Sequence, residues 1–251
     1  MHIEFQVVSE IGPREEMEDC CSVVTCPEGM GIEYFFVVCD GHGGSHVANV
    51  VANQLSSLFR AILGESRGNR SVGSAFRKAF EIINERVSLR EDGTCVVSAF
   101  ISGDRLHFAN VGDCELVIFR KRRFFTHSCI HRLENPREKR RVKKLGGKID
   151  SRYLWLPEGD FGLEPLRTIG DRRFKPYGVI ARPKCGSVLL KPGTVVILGT
   201  DGLFDCVTKK HINHFVNSVS SLGNLSESLR SLVLASHPKD NFTFVVCEVK
   251  S

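Results

Sequence analysis

Apolar residues along the chain fall into two kinds of pattern. Six short runs, Tyr34–Cys39, Cys95–Ile101, Leu106–Val111, Leu116–Phe119, Thr194–Gly199 and Phe242–Val249, carry the β-branched and aromatic bias of strands. Two stretches instead repeat apolar residues in steps of three and four: Val47, Val51, Leu55, Leu58 and Ile62, then Phe76, Phe80, Ile83 and Val87. That spacing gathers each set on one helical face, so two amphipathic helices follow the first strong strand. Further helices are predicted over Asn135–Leu145, where Pro136 suits the first turn, and over Lys209–Val219 and Leu225–Ala235. Leu116 to Thr126 reads as a hairpin turning at Lys121-Arg122. Consecutive strands joined in this way predict antiparallel sheets with helices packed outside them, not a doubly wound parallel sheet.

Composition narrows the class. The chain has 251 residues, 42% of them hydrophobic and 25% charged, which excludes a disordered or collagen-like chain and permits a sizeable core. No apolar run approaches the length of a membrane span, and Met1 to Phe5 lacks a basic region followed by an apolar stretch. Neither membrane insertion nor secretion is expected. No internal repeat or break in composition appears, and Gly64 to Gly73 is too short a linker to divide the chain, so residues 1–251 read as one domain. The ten cysteines include no CxxC pair, which predicts reduced thiols and an intracellular protein, cytoplasmic or nuclear. His211 and His214, with no nearby cysteine pair, make a poor zinc site.

The net charge of +5 is unevenly spread. Arg120 to Lys148 holds twelve Lys/Arg against Glu134 and Glu138, about +10. Most such runs are solvated faces. A nucleic-acid surface would interleave aromatics, and only Phe124 and Phe125 are present, so no nucleic-acid partner is expected.

Carboxylates recur where the apolar strands stop. Asp40 follows the Phe35–Cys39 run, Asp201 follows Val195–Thr200, Asp113 follows Leu106–Gly112, and Asp240 stands just before the last strand. Any one Asp-Gly pair is ordinary turn chemistry. Four rim carboxylates, with Glu18-Asp19 in an early polar stretch, point instead to a cation: buried unpaired carboxylates are costly, and their hard oxygens suit Mg²⁺ or Mn²⁺. His42, flanked by Gly41, Gly43 and Gly44, is placed to act as a general acid beside Asp40.

At these residues the chain resembles the metal-dependent serine/threonine protein phosphatases of type 2C. Arg14 to Asp19 looks like the family's R-x-x-M-E-D, Asp40 to Gly44 its D-G-H-G-G, and Asn110 to Asp113 its N-x-G-D. Gly93-Thr94 matches the small pair that opens a core strand. His131-Arg132, Glu138, Arg141 and Gly146-Gly147 follow the next pattern; Arg167 to Asp171, Thr200 to Asp205 and Asp240 to Thr243 complete the order. The resemblance implies an α+β fold, a four-layer αββα sandwich of two antiparallel sheets flanked by helices.

It also implies roles. Asp40 would bridge two Mg²⁺ or Mn²⁺ ions, the Gly41 carbonyl serving one and Asp201 and Asp240 the other. Glu18 and Asp19 would hold metal-bound waters, Arg14 would receive the phosphate, and Asp113 would help hold a weaker third ion with Asp201. Such an enzyme hydrolyses phosphoserine and phosphothreonine in proteins by direct attack of a hydroxide shared between the ions, with His42 protonating the departing oxygen. The other reading is a catalytically silent member acting as a binding or scaffolding regulator. A monomer with phosphoprotein partners is expected, and the basic segment would favour acidic phosphopeptides. Two departures stand out: Cys114-Glu115 where the family has Ser-Arg, and Leu166 where it has Ser or Thr. They bear on the surroundings of Asp113 and on the flap near Arg167 to Lys184.

Overall fold

The computed structural model describes residues 2–28, 31–65, 71–159 and 161–250. Part of the predicted linker, residues 66–70, therefore lies outside the described residues.

One sheet contains β2 (Cys20–Glu28), β3 (Gly31–His42), β4 (Gly93–Ser102), β5 (Arg105–Val111) and β12 (Lys184–Leu189), in the order β12-β5-β4-β3-β2, with the two-residue β11 (Ile169–Gly170) against β4. The other contains β1 (His2–Glu10), β6 (Glu115–Arg120), β7 (Arg123–His127), β13 (Val195–Gly199) and β14 (Phe242–Lys250), in the order β1-β14-β13-β6-β7. The paired strands in both sheets run antiparallel.

The layers follow from alternation along β3. Phe35, Val37 and Cys39 face α1 (His46–Glu65) and α2 (Val72–Arg86), where Phe35, Phe59 and Phe76 pack with ring centroids 4.4 to 5.8 Å apart. Tyr34, Phe36 and Val38 face the other way, into an inter-sheet core shared with Leu116, Ile118, Val196 and Val245. Val117, Ile197 and Phe244 in turn pack against α5 (Lys209–Ser218) and α6 (Leu222–Ala235). A strand buried on both faces has no polar side to show, which is why these segments read as continuous apolar runs. The result is the expected sandwich of helices, sheet, sheet and helices.

The 120s hairpin turns where predicted: Lys121 and Arg122 both have positive φ, 49° and 58°, the signature of the tight turn that matches strand twist. Ser71 caps α2 and Asn135 caps α3 (Pro136–Lys144), each side chain accepting a backbone N–H. His211, one of the two histidines of the weak zinc pairing, is engaged in the capping box with Thr208 at the start of α5. Beside the sandwich, β8 (Lys148–Asp150), β9 (Tyr153–Trp155) and β10 (Gly162–Leu163) form a small sheet with α3, covering their own apolar cluster of Leu133, Val142, Leu154, Leu156, Leu163, Leu166, Phe174 and Val179. This is the flap.

Candidate active site

The strand ends that carry acids converge at one end of the sandwich. Asp40 lies near the end of β3, Asp113 just beyond β5, Asp201 at the start of α4 (Asp201–Phe204) straight after β13, and Asp240 just before β14. Carboxylate oxygens of Asp40, Asp113 and Asp201 lie within 4.8 Å of one another. With Arg14, Glu18, His42, Asp171 and Asp240 they line a cleft of about 520 Å³ whose opposite wall is the flap, through Tyr153, Leu156, Phe161, Leu163 and Phe174.

Close backbone packing makes this convergence possible. A Cβ on Gly41 would overlap the Glu18 carbonyl oxygen, and one on Gly12 would overlap the carbonyl oxygen of Asp240, so both places accept only glycine. The loop that carries Arg14, Glu18 and Asp19 is pinned by Asn241, whose Nδ2 donates to the carbonyls of Ile11 (2.7 Å) and Glu16 (3.0 Å) and whose Oδ1 accepts from the Glu18 N–H at 2.9 Å. Glu18 accepts from the Gly44 N–H. Asp19 is buried and accepts from Thr200 Oγ1 at 3.1 Å, while Thr200 Oγ1 accepts from the Thr243 N–H.

Charge is concentrated at the centre of the site, where the carboxylates outnumber the guanidiniums of Arg14 and Arg132 that pair with them. Burial, together with the charges of Asp201, Asp19, Asp113 and Asp240, pushes the Asp40 carboxyl well above its ordinary value. Burial raises Asp19 to about 7, and burial together with Asp113 raises Asp201 to about 7. Oxygen donors that repel one another this strongly fit a divalent cation, which would restore their ionised form.

The basic groups nearby are arranged differently. Arg14 Nη2 pairs with Asp240 Oδ2 at 2.8 Å and Nε donates to the Lys239 carbonyl, with about half of its side chain exposed. Arg132 reaches Asp113, Asp201, Asp205 and Glu164 together. His42 Nε2 lies 2.8 Å from Asp171 Oδ2. Burial opposes a charge on the imidazole, but Asp171 outweighs it and the histidine is held above its usual value.

Three of these partners carry roles that the spacing along the chain did not reveal: Asp171, Arg132 and Asn241. Asp171 is 129 residues from His42 in the chain, and its signal was the R-x-x-G-D match. Its backbone is left-handed, φ 52°, with its N–H bonded to the Asp92 carbonyl. Other motif residues are structural. Glu138 is buried and binds Arg167 through two bonds, 2.5 and 3.0 Å, and Arg141 as well, tying α3 to the chain entering β11. Burial works against its charge, but the two arginines hold it below the usual carboxylate range.

Both departures from the family pattern sit in coherent surroundings. Cys114 is in the inter-sheet core, and the buried Glu115 pairs with His127 Nδ1 at 2.6 Å and Lys209 Nζ at 2.7 Å, joining β6, β7 and α5. Leu166 belongs to the flap's apolar cluster, and its carbonyl accepts from Arg141 Nη2. Of the basic segment, no residue lines the cleft.

An antiparallel αββα sandwich with an acid-lined cleft at one end defines a class, and the protein phosphatase 2C family model matches residues 3–242. The chain belongs to that family. Probable protein phosphatase 2C 14 of Arabidopsis thaliana is 31% identical over 82% of this chain and 46% of its own length. Protein phosphatase 1K, mitochondrial, of Xenopus laevis is 28% identical over 98% of this chain and 68% of its own. The chain spans about half the length of the Arabidopsis relatives it matches. Among solved structures, a C. elegans sex determining protein superposes with TM-score 0.83 at 21% identity, covering 99% of this chain and 65% of that one. Serine-threonine phosphatase 2C from Toxoplasma gondii gives 0.76 at 20%, covering 99% and 95%. These two share the fold.

Proposed function

We propose that the chain is a single catalytic domain, residues 1–251, that hydrolyses phosphoserine and phosphothreonine in proteins with divalent metal. The observation that carries this reading is the convergence of Asp40, Asp113 and Asp201 within 4.8 Å at the floor of an open cleft. The family match over residues 3–242 and the inter-sheet core common to both halves support one domain. Among the described residues, no helix is long and apolar enough to cross a membrane.

Asp40, Asp201, Asp240 and the Gly41 carbonyl would hold two Mg²⁺ or Mn²⁺ ions, with Glu18 and Asp19 supporting them. Bound there, the ions would supply an activated water at neutral pH and offset charge on the transferring phosphoryl group. The side chains do the rest. Arg14, at the cleft rim with one face on Asp240 and Lys239, keeps guanidinium donors for phosphate oxygens, a planar fork suited to such recognition. Asp171 holds the His42 ring by Nε2 and favours its protonated form, so a proton is available at Nδ1 for the serine or threonine oxygen as it leaves. The flap wall excludes part of the solvent from the cleft. Retention of His42, Arg14 and the whole acid set favours an enzyme over a silent scaffold.

The test is phosphate release from a phosphothreonine peptide by purified protein with Mn²⁺ or Mg²⁺, then after chelation and dialysis. Turnover that requires metal is expected; undiminished turnover in excess chelator, or none with either metal, overturns the proposal.

A further inference from the structure

Arg132, in the stretch between β7 and α3, is surrounded by acids from three separate parts of the chain. Its Nε lies 2.8 Å from Asp113 Oδ2 and 3.2 Å from Glu164 Oε1. Nη2 is 2.9 Å from Asp201 Oδ2, and Nη1 is 3.3 Å from Asp205 Oδ1. The contacts use all three guanidinium nitrogens, and the side chain is only 17% exposed.

Arg14 provides the contrast. It pairs with one carboxylate, Asp240, and is 49% exposed, so it can leave that partner for a substrate phosphate or yield it to a cation at little cost. Arg132 has no comparable exit. Asp113, whose side chain is 4% exposed, has no other ion-pair partner among the described residues, and releasing Arg132 would strand it as a buried charge. Glu164 ties the same guanidinium to the end of the flap sheet.

We infer that Arg132 is a resident cation, filling the place beside Asp113 and Asp201 where the family resemblance implies a weaker third ion. The site then holds two ions and no third, because a guanidinium already stands against Asp113 at 2.8 Å and Asp205 at 3.3 Å. Arg132 acts as a positioning residue: it fixes the orientation of Asp201 and links it to the flap through Glu164. This rests on the two-ion reading above.

The experiment is Mn²⁺ binding to the whole purified protein, by equilibrium dialysis with elemental analysis and by calorimetry, with circular dichroism to confirm folding. Wild type should bind two ions, Asp113→Asn should also bind two, and Arg132→Ala should bind three, the third lost again in Arg132→Ala/Asp113→Asn. A wild type that binds three ions, falling to two in Asp113→Asn, overturns the inference and leaves the two-ion reading standing. A wild type that binds none overturns both. If Arg132→Ala does not fold, the wild-type and Asp113→Asn stoichiometries decide alone. A folded Arg132→Ala that still holds two ions also overturns the inference, since no place was then being filled.

Discussion

Gly93→Ala is expected to break the His42–Asp171 pair proposed above as the general acid without substituting either residue. Gly93 stands opposite His42 in the β3–β4 register. A Cβ there would overlap the Asp171 carboxylate and come to 2.6 Å from His42 Nε2, against an ordinary separation of about 3.5 Å. The atoms that must give way are the two that form the 2.8 Å bond. Asp171 cannot retreat easily, because its N–H is committed to the Asp92 carbonyl and its backbone is already left-handed. Losing a general acid is worth ~10²–10⁴-fold, about 3–5 kcal/mol of barrier. Overpacking adds about 1–3 kcal/mol of instability, which lowers Tm without unfolding a domain of this size. The assay compares kcat for a phosphothreonine peptide with that for p-nitrophenyl phosphate in the presence of Mn²⁺. The first should fall by at least ~10²-fold and the second far less, since nitrophenolate leaves without a proton. Equal losses on both substrates, with the circular dichroism spectrum unchanged, would refute the reasoning.

Asp171→Asn should lower the His42 pKa, because it removes the charge that holds it up. As the acid must be protonated to act, phosphopeptide turnover falls as pH rises through that pKa, so the alkaline limb of the pH–rate profile should move to lower pH; an unmoved limb argues against the pairing. Glu138→Ala should leave Arg141 and Arg167 without their shared buried partner, at a cost of about 3–5 kcal/mol, seen as a lower urea midpoint; a shift under about 1 kcal/mol would mean the flap is held by its apolar cluster alone. Replacing Arg140, Lys143 and Lys144 with Ser should leave the ratio of acidic-flanked to basic-flanked peptide turnover unchanged at low salt, since none lines the cleft; a lost acidic preference would restore the steering role that the local charge suggested. Arg141 is kept out of that set because it binds Glu138 and the carbonyls of Leu166 and Gly178.

Legibility in the sequence followed burial. The strands β3, β4, β5, β6, β13 and β14 are nearly all buried and announced themselves as apolar runs. The outer strands β1, β2 and β12 have few buried positions among the described residues; β1 buries only Ile3 and β2 and β12 bury none fully, so their alternation is too weak to stand out from a polar stretch. The flap strands are two or three residues long, below what any periodicity can register. For the helices, stepwise spacing placed Leu58 in the buried stripe, whereas Phe59 fills it and Leu58 is only partly covered. In the site, residues that cap strands were recognisable because strand ends share an edge. Partners set by loops crossing from elsewhere, Asp171 on His42 and Arg132 on Asp113, depend on tertiary geometry that spacing does not encode. Arg132 in particular matches the resemblance's His-Lys/Arg pair but has no role there, and otherwise reads as one charge among twelve in a basic run.

The acid residues are divided between the two sheets: Asp40 and Asp113 extend from the strands of one, Asp201 and Asp240 from the strands of the other. Their mutual repulsion therefore acts across the inter-sheet seam, where Arg132 already joins Asp113 of one side to Asp201 of the other while Asp40 is left among like charges. A divalent ion held from both sides, as proposed above, would turn that repulsion into attraction. Loading of the proposed metal site would then also brace the two sheets against each other, and the melting temperature should climb with free metal concentration as for any ligand that binds only the folded state. Scarcity of metal would then lower the amount of folded protein as well as its turnover.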